Sequence, residues 1–228
     1  MNKGSVLRCV LFICLLSLGS GCAVKTSVNN QYKLENFGCT PVKGKRSASS
    51  ILVTQPEAVA GYQTEQMLYM VKPFELNPFA HSAWVGAPAN MLFPLILQSL
   101  QYSNYFSAVI STPYGEKADY RLDTQLIELH QNFLANPSRI ELIVKVVLTY
   151  VADNHVIASK IIKRDVQCPE NTPYGGVLAA NIAVKEFTEI MTEFVIAHIK
   201  QQSPYSKTMA KNYKQLYNVP PSTRIKKI

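Results

Sequence analysis

"DYRLDTQLIELHQNFLANPSRIELIVKVVLTY", residues 119–150, decides the fold. Tyr120, Leu122, Thr124 and Leu126 alternate with Asp119, Arg121, Asp123 and Gln125. Ile140, Leu142, Val144, Val146, Leu148 and Tyr150 then alternate with Arg139, Glu141, Lys145 and Thr149. A strict period of two over such lengths predicts two half-buried antiparallel strands, 119–129 and 139–150. Asn136-Pro137 marks the turn between them.

Downstream, Asp153-Asn154 turns the chain into a third strand at about 155–166. Pro173, Gly175 and Gly176 break the pattern before a helix of about 177–201, whose apolar face is carried by Leu178, Ala179, Ile182, Ala183, Phe187, Ile190, Met191, Phe194 and Val195. Pro204 is expected to stop it. Upstream, Pro88 suits the first turn of a helix. Met91, Leu92, Leu95, Ile96, Ser99 and Leu100 recur there at three- and four-residue steps, and Asn104 ends the run. Short strands are expected at Tyr32–Leu34, Ile51–Thr54, Gln66–Lys72, Phe74–Leu76 and Ser107–Ile110, with Pro73 arguing for an edge. The product is an α+β two-layer sandwich. A largely antiparallel sheet of about five strands carries two amphipathic helices on one face, and its other face stays wet.

The N-terminus is of another kind. Lys3 and Arg8 precede a ten-residue apolar core, Cys9–Leu18, too short for a spanning helix of roughly 20 residues. A basic start, a short apolar core and small residues read as an export signal, residues 1–21. Gly19-Ser20-Gly21-Cys22 resembles the lipobox of bacterial lipoproteins, which implies lipidation of Cys22 and a membrane anchor that spans nothing. Ordinary cleavage, leaving Cys22 a plain thiol, is the alternative. Ala23 follows, where an Asp favours inner-membrane retention in enteric bacteria, so the periplasmic face of the outer membrane is expected. Residues 22–50 read as the lipidated N-terminus and a polar tether, 51–202 as the folded domain, and 203–228 as a basic, disordered tail.

Charge supports that division. The chain carries 23 basic and 15 acidic residues, a net +8. Lys3, Arg8 and six basic residues of the tail account for the whole excess, so 22–202 is neutral. A high pI confined to a tail gives no case for nucleic-acid binding. The tail's tyrosines, Tyr205, Tyr213 and Tyr217, and its charges suit either a solvated spacer or weak docking to anionic headgroups or an acidic partner.

With Cys22 lipidated, Cys39 and Cys168 remain in the mature chain. Export to an oxidising compartment predicts their disulfide, with two free thiols as the alternative. No catalytic constellation, metal-ligand spacing or cofactor motif is evident. His81, His130, His155 and His198 are scattered. Asp119 and Asp123 flank Arg121, their expected neutraliser. Gly175-Gly176 lacks the remainder of a phosphate loop. Tyr69, Phe79 and Trp84, in the edge region before the first helix, are candidates for partner binding because aromatics are enriched at hot spots. Core packing is the competing reading for Trp84.

Four stretches together resemble the ABC-type transport auxiliary lipoproteins, the PqiC-type group. They are "MLYMVKPFELNPFAHSAWVGAPANML" (67–92), "SNYFSAVIS" (103–111), "ADYRLDTQLIELHQNF" (118–133) and "TPYGGVLAANIAVKEFTEIMTEFV" (172–195). The most specific parts are Trp84 shortly before Pro88 and Met91-Leu92, the run Ala118–Leu122, and Ala179-Ala180-Asn181. The resemblance covers about 50–200. It implies a fold like that of the TolB N-terminal domain and a non-catalytic role without cofactors. The implied partners are an MCE-domain periplasmic protein and an ABC permease/ATPase complex that move lipid between the membranes and support outer-membrane integrity. Self-association is left open. A general envelope scaffold or secretion-system lipoprotein without a transport role is the alternative.

Metabolic labelling with a clickable fatty acid is expected to mark the wild-type chain and not Cys22→Ser. Equal labelling of the two would refute lipidation at Cys22.

Overall fold

The structure, a computed structural model, describes residues 30–44, 46–111 and 118–217, with side chains described as far as 202. The expected signal segment, Cys22 and the last eleven residues lie outside the described residues.

Three long strands form the antiparallel meander expected from the alternation: β7 (Tyr120–Asn132), β8 (Arg139–Tyr150) and β9 (His155–Gln167). The other edge of β7 is shared by three short strands lying parallel to it in succession. These are β2 (Ser50–Val53), β3 (Glu57–Ala58) and β4 (Gln66–Lys72). β4 turns back as β5 (Glu75–Trp84), which pairs in parallel with the short β1 (Asn30–Tyr32). At the other end β6 (Ala108–Ser111) lies parallel to β2. The sheet is therefore nine-stranded and mixed. The α+β class and the two helices agree with the sequence reading. The additional strands are short parallel segments whose partners lie far along the chain.

α1 (Pro88–Tyr102) starts at its proline and buries Leu92, Leu95, Ile96, Ser99 and Leu100. α2 (Pro173–Tyr217) starts four residues earlier than its apolar pattern suggests. Thr172 caps it, accepting from the Gly175 N–H at 3.0 Å through Oγ1. Pro173 takes the first helical position, where a missing N–H costs nothing. Both glycines belong to this first turn because a Cβ at Gly175 would enter the Glu170 carbonyl, and one at Gly176 the Gln131 amide. α2 also runs past Pro204 to Tyr217, so the tail is helical over its first part rather than disordered from 203. Proline removes one hydrogen bond and crowds one turn, but the residues after it, such as Met209, Ala210 and Lys211, are good helix formers.

Both helices pack on one face of the sheet. Ile140, Leu142, Val144, Val146 and Leu148 of β8 meet Phe187, Met191 and Val195 of α2 in one core. On β9 the helix-facing row includes Lys160, over the Phe194 ring at 5.7 Å, and Arg164, paired with Glu186. A β-bulge between Leu126 and Glu128 divides β7. Ahead of it Leu122 and Leu126 face the helices; beyond it Leu129 and Gln131 do, and Glu128, His130 and Asn132 turn to the opposite face.

The expected tether is a fixed strap from Asn30 onward. After β1 it runs along α2. Asn181 Oδ1 accepts from the backbone N–H of Glu35 at 2.8 Å and of Asn36 at 3.2 Å, and its Nδ2 donates to the Lys33 carbonyl at 3.2 Å. Gly38 N–H donates to Thr188 Oγ1 at 2.8 Å, and Ser99 Oγ donates to the Gly38 carbonyl at 2.6 Å. The strap then reaches the end of α1, where Val42 N–H donates to the Ser103 carbonyl at 2.8 Å. Each of these polar groups has a partner, so the crossing leaves none of them buried and unpaired.

Cys39 and Cys168 are free thiols, contrary to the expected bridge. Cys39 lies beside Thr188 and Glu189, about a third of the way along α2, through its neighbours Gly38 and Thr40. Cys168 lies near Thr172 at the start of that helix, sharing Gln131 Nε2 with it. Sixteen helical residues separate these stations, roughly 24 Å at 1.5 Å per residue. A disulfide tolerates a Cα separation of at most about 7 Å. Burial pushes both thiols above their ordinary pKa, so neither is activated as a thiolate.

A Cβ at Gly38 would be driven into the Lys185 carbonyl and against Glu189 Cβ, whereas one at Gly86 meets open space. Overpacking of this kind costs about 1–3 kcal/mol, a fall of roughly 2–10 °C in Tm for a domain of this size. Thermal unfolding of Gly38→Ala is expected to show that fall, and Gly86→Ala to melt near wild type. Equal melting of the two would mean that the strap is not seated as described.

Candidate functional site

Two exposed apolar features and one buried polar cluster distinguish this surface. The first feature is the β4–β5 hairpin. Its tip carries Phe74, fully exposed at 102% and held at φ +68°. Positive φ is uncommon for an aromatic residue and costs free energy in the absence of compensation. Val71 and Leu76 on the two arms of the hairpin are exposed as well, as is Leu134 just after β7. Below the tip, Tyr69, Phe79 and Phe133 form an aromatic cluster, with the Tyr69 and Phe79 ring centroids 4.5 Å apart.

The structure brings two of the three expected partner-binding residues together and separates the third. Tyr69 and Phe79 share that cluster, and both are half-buried. Trp84, at the far end of β5, is 3% exposed and belongs to the main core. Its backbone N–H donates to the Glu65 carbonyl at 2.7 Å, which seats that end of β5. Trp84 is a packing residue, and the contact reading of it is corrected. The sequence reading missed the exposed Phe74. A proline followed by an aromatic between two strand patterns was the available signal.

The second feature is a groove of about 710 Å³ between β1 and the start of α2. Tyr174, Leu178 and Ile182 recur every four residues on α2 and stay 40–52% exposed, while the opposite face of the same turns is buried. Tyr32 of β1 packs on Tyr174 at 6.0 Å between centroids. Among the described residues β1 pairs only with β5, so its outer edge leaves N–H and C=O groups open. An open strand edge beside an apolar helical stripe can accept both the backbone and the side chains of a partner segment.

The buried cluster lies on the face away from the helices. Glu128, His130 and Glu141 place ligand-type atoms within 4.8 Å of one another. His130 Nδ1 meets the Tyr62 hydroxyl at 3.2 Å, and its Nε2 faces Glu141 Oε2 at 3.5 Å. Asn132 Nδ2 donates to the other Glu141 oxygen at 2.7 Å. Burial holds the imidazole below its ordinary pKa although both carboxylates pull the other way. Burial, with the same two carboxylates, pushes the Tyr62 phenol up to about 12, so it keeps its proton.

The remaining polar candidates are engaged in the frame. Asp119 accepts from both the N–H and the hydroxyl of Ser50, and Asp123 pairs with Arg121 at 2.9 Å. The Gly176 N–H is spent on the Thr172 carbonyl. His155 pairs with Asp153, and His198 contacts the Phe194 carbonyl. Among the described residues no helix is long and apolar enough to cross a membrane.

No family model matches the chain. No curated protein matches it either. Solved structures do. Protein XCC0632 of Xanthomonas campestris, described as DUF330, superposes with a TM-score of 0.68 at 16% identity, over 77% of this chain and 99% of its own. A second, described only as an uncharacterized protein, superposes with a TM-score of 0.58 at 12% identity, over 73% of this chain and 99% of its own. At these identities the likeness establishes a shared fold.

Truncating a buried tryptophan typically costs about 3–5 kcal/mol. Trp84→Ala is expected to lower Tm sharply, whereas Phe74→Ser leaves it unchanged or slightly raised because nothing packs on that ring. A Trp84→Ala protein melting like wild type would contradict the core placement.

Proposed function

We propose that this chain is a lipid-anchored, non-catalytic auxiliary component of an ABC/MCE-type lipid transport system. Cys22 carries the anchor, at the periplasmic face of the outer membrane, and the body docks the MCE-domain protein of the transporter. The carrying observation is the groove beside β1. An exposed Tyr174–Leu178–Ile182 stripe adjoins an open strand edge, on a body whose other large hydrophobics are mostly buried. Contiguous apolar surface of this sort is uncommon on a solitary soluble body and marks contact sites.

Three further observations support the reading. The sequence before Cys22 has the form of a lipoprotein signal. The four stretches that carry the family resemblance fall on structural positions. Ala179 and Ala180 are fully buried against the sheet, and Asn181 pins the strap. The body has no net charge to draw nucleic acid, and Asp123, Asp165 and Glu186 are paired with arginines within the frame.

Replacing both Leu178 and Ile182 by Asp tests the proposal. Both side chains are exposed, so Tm is expected to stay near wild type. Co-purification of the MCE-domain protein from membranes is expected to fall at least about tenfold, since a charge buried without a partner costs more than 1.4 kcal/mol. Cells carrying the double variant are expected to become detergent-sensitive, like a Cys22→Ser strain. Undiminished capture together with unchanged detergent resistance would overturn the reading.

A further inference from the structure

The polar face of the sheet holds an arrangement that its own hydrogen bonds do not complete. The His130 side chain is 2% exposed, and its Nε2 is buried with no hydrogen-bond partner. Two carboxylates face it, and among the described residues no lysine or arginine is paired with either of them. With Nδ1 protonated towards Tyr62, three acceptors converge with no donor between them. With Nε2 protonated, a buried N–H points at a carboxylate from 3.5 Å without making the bond. Either neutral form leaves an unsatisfied buried polar group, a costly condition that calls for a missing occupant.

We propose that Glu128, His130 and Glu141 form a binding site for a divalent transition-metal cation of the zinc class. The donor set, one imidazole and two carboxylates, suits zinc. In a tetrahedral site with bonds near 2.0–2.1 Å, adjacent ligand atoms lie roughly 3.3–3.4 Å apart. Nε2 and Glu141 Oε2 are 3.5 Å apart, close to that spacing without any rearrangement. The Glu128 oxygen lies within 4.8 Å of both and closes by a side-chain rotation. Three protein ligands leave a fourth position for water.

The surroundings are those of a metal site as well. A metal-bound imidazole donates its other N–H to a fixed acceptor, which sets its tautomer. The Tyr62 hydroxyl is that acceptor, at 3.2 Å from Nδ1. Asn132 occupies Glu141 Oε1 and leaves Oε2 turned to the histidine. The pull of burial towards neutral imidazole keeps the lone pair available for coordination. The backbone creates the site: the bulge after Leu126 puts Glu128 and His130 on the same face as Glu141, and Glu141 is the cross-strand partner of His130. A bound cation would join β7 to β8 beneath the Tyr62 loop.

The test uses the detergent-solubilised full chain carrying Cys39→Ser, stripped with chelator and titrated with zinc sulfate. One zinc per chain is expected to bind, and Tm to rise with zinc concentration as for any ligand of the folded state. Magnesium is expected to leave Tm unchanged. Cobalt(II) is expected to give the intense visible absorption of a four-coordinate ion. Glu128→Gln and Glu141→Gln preserve shape and, folding as wild type by circular dichroism, are expected to lose zinc binding and the cobalt spectrum. Tyr62→Phe, which removes only the outer contact, is expected to weaken binding about 10- to 100-fold. The proposal is overturned if zinc leaves Tm unchanged, or if the two glutamine variants bind zinc as wild type does.

Discussion

The register of β7 governs this molecule. Its two edges serve different purposes. One carries the long antiparallel ladder to β8, and the other seats β2, β3 and β4 in turn, each parallel to it. A single extra residue after Leu126 reverses which side chains face the helices. Without it, straight alternation would drive Glu128 and His130 into the apolar layer and turn Leu129 out. With it, Leu129 continues the core. Gln131 enters that layer too, where its Nε2 donates to Ser138 Oγ and the Thr172 carbonyl and approaches Cys168. The start of α2 is thereby tied to the middle of the sheet, and the acidic pair with its histidine is expelled to the opposite face.

What the sequence made legible were the features whose cause is local. The period-two runs of β7 and β8 and the three–four spacing of α1 and α2 each encode their own element, and all four formed, although β7 runs on to Asn132 and α2 overruns its pattern at both ends. The strap could not be read in this way. It has no periodicity, and its order comes from Asn181, Thr188 and Ser99, some 60 to 150 residues away. The sequence reading ended the second arm of this hairpin at Leu76, but β5 continues through Pro78 to Trp84. That proline lies beyond the stretch of β5 that pairs with β1, on an outer edge where no N–H is required.

The candidate sites divide along the same line. Trp84 was read from residue type, and residue type does not distinguish a lid over a core from a contact on a surface. The exposed stripe on α2 was visible as apolar periodicity, but Leu178 and Ile182 were counted with the buried face because a helical repeat fixes spacing and not orientation. The Glu128–His130–Glu141 cluster needs a cross-strand register and a bulge, and neither leaves a mark in residue spacing. The cysteines failed for a different reason. Compartment and parity favour a bridge, but both thiols belong to one long helix's neighbourhood at stations that its length holds apart.

The strap also sets how far the body can stray. Its first described residue is Asn30, eight residues after Cys22. A fully extended chain of that length reaches at most roughly 28 Å. With a lipid on Cys22, the domain is moored on a short line rather than floating at the end of a thirty-residue tether. The β1 groove, which opens where that line joins the body, then always lies within about one domain diameter of the bilayer. On the proposed function, a partner would then have to come to the membrane to meet it, and a bridge across a wider gap would have to be built by that partner's own length.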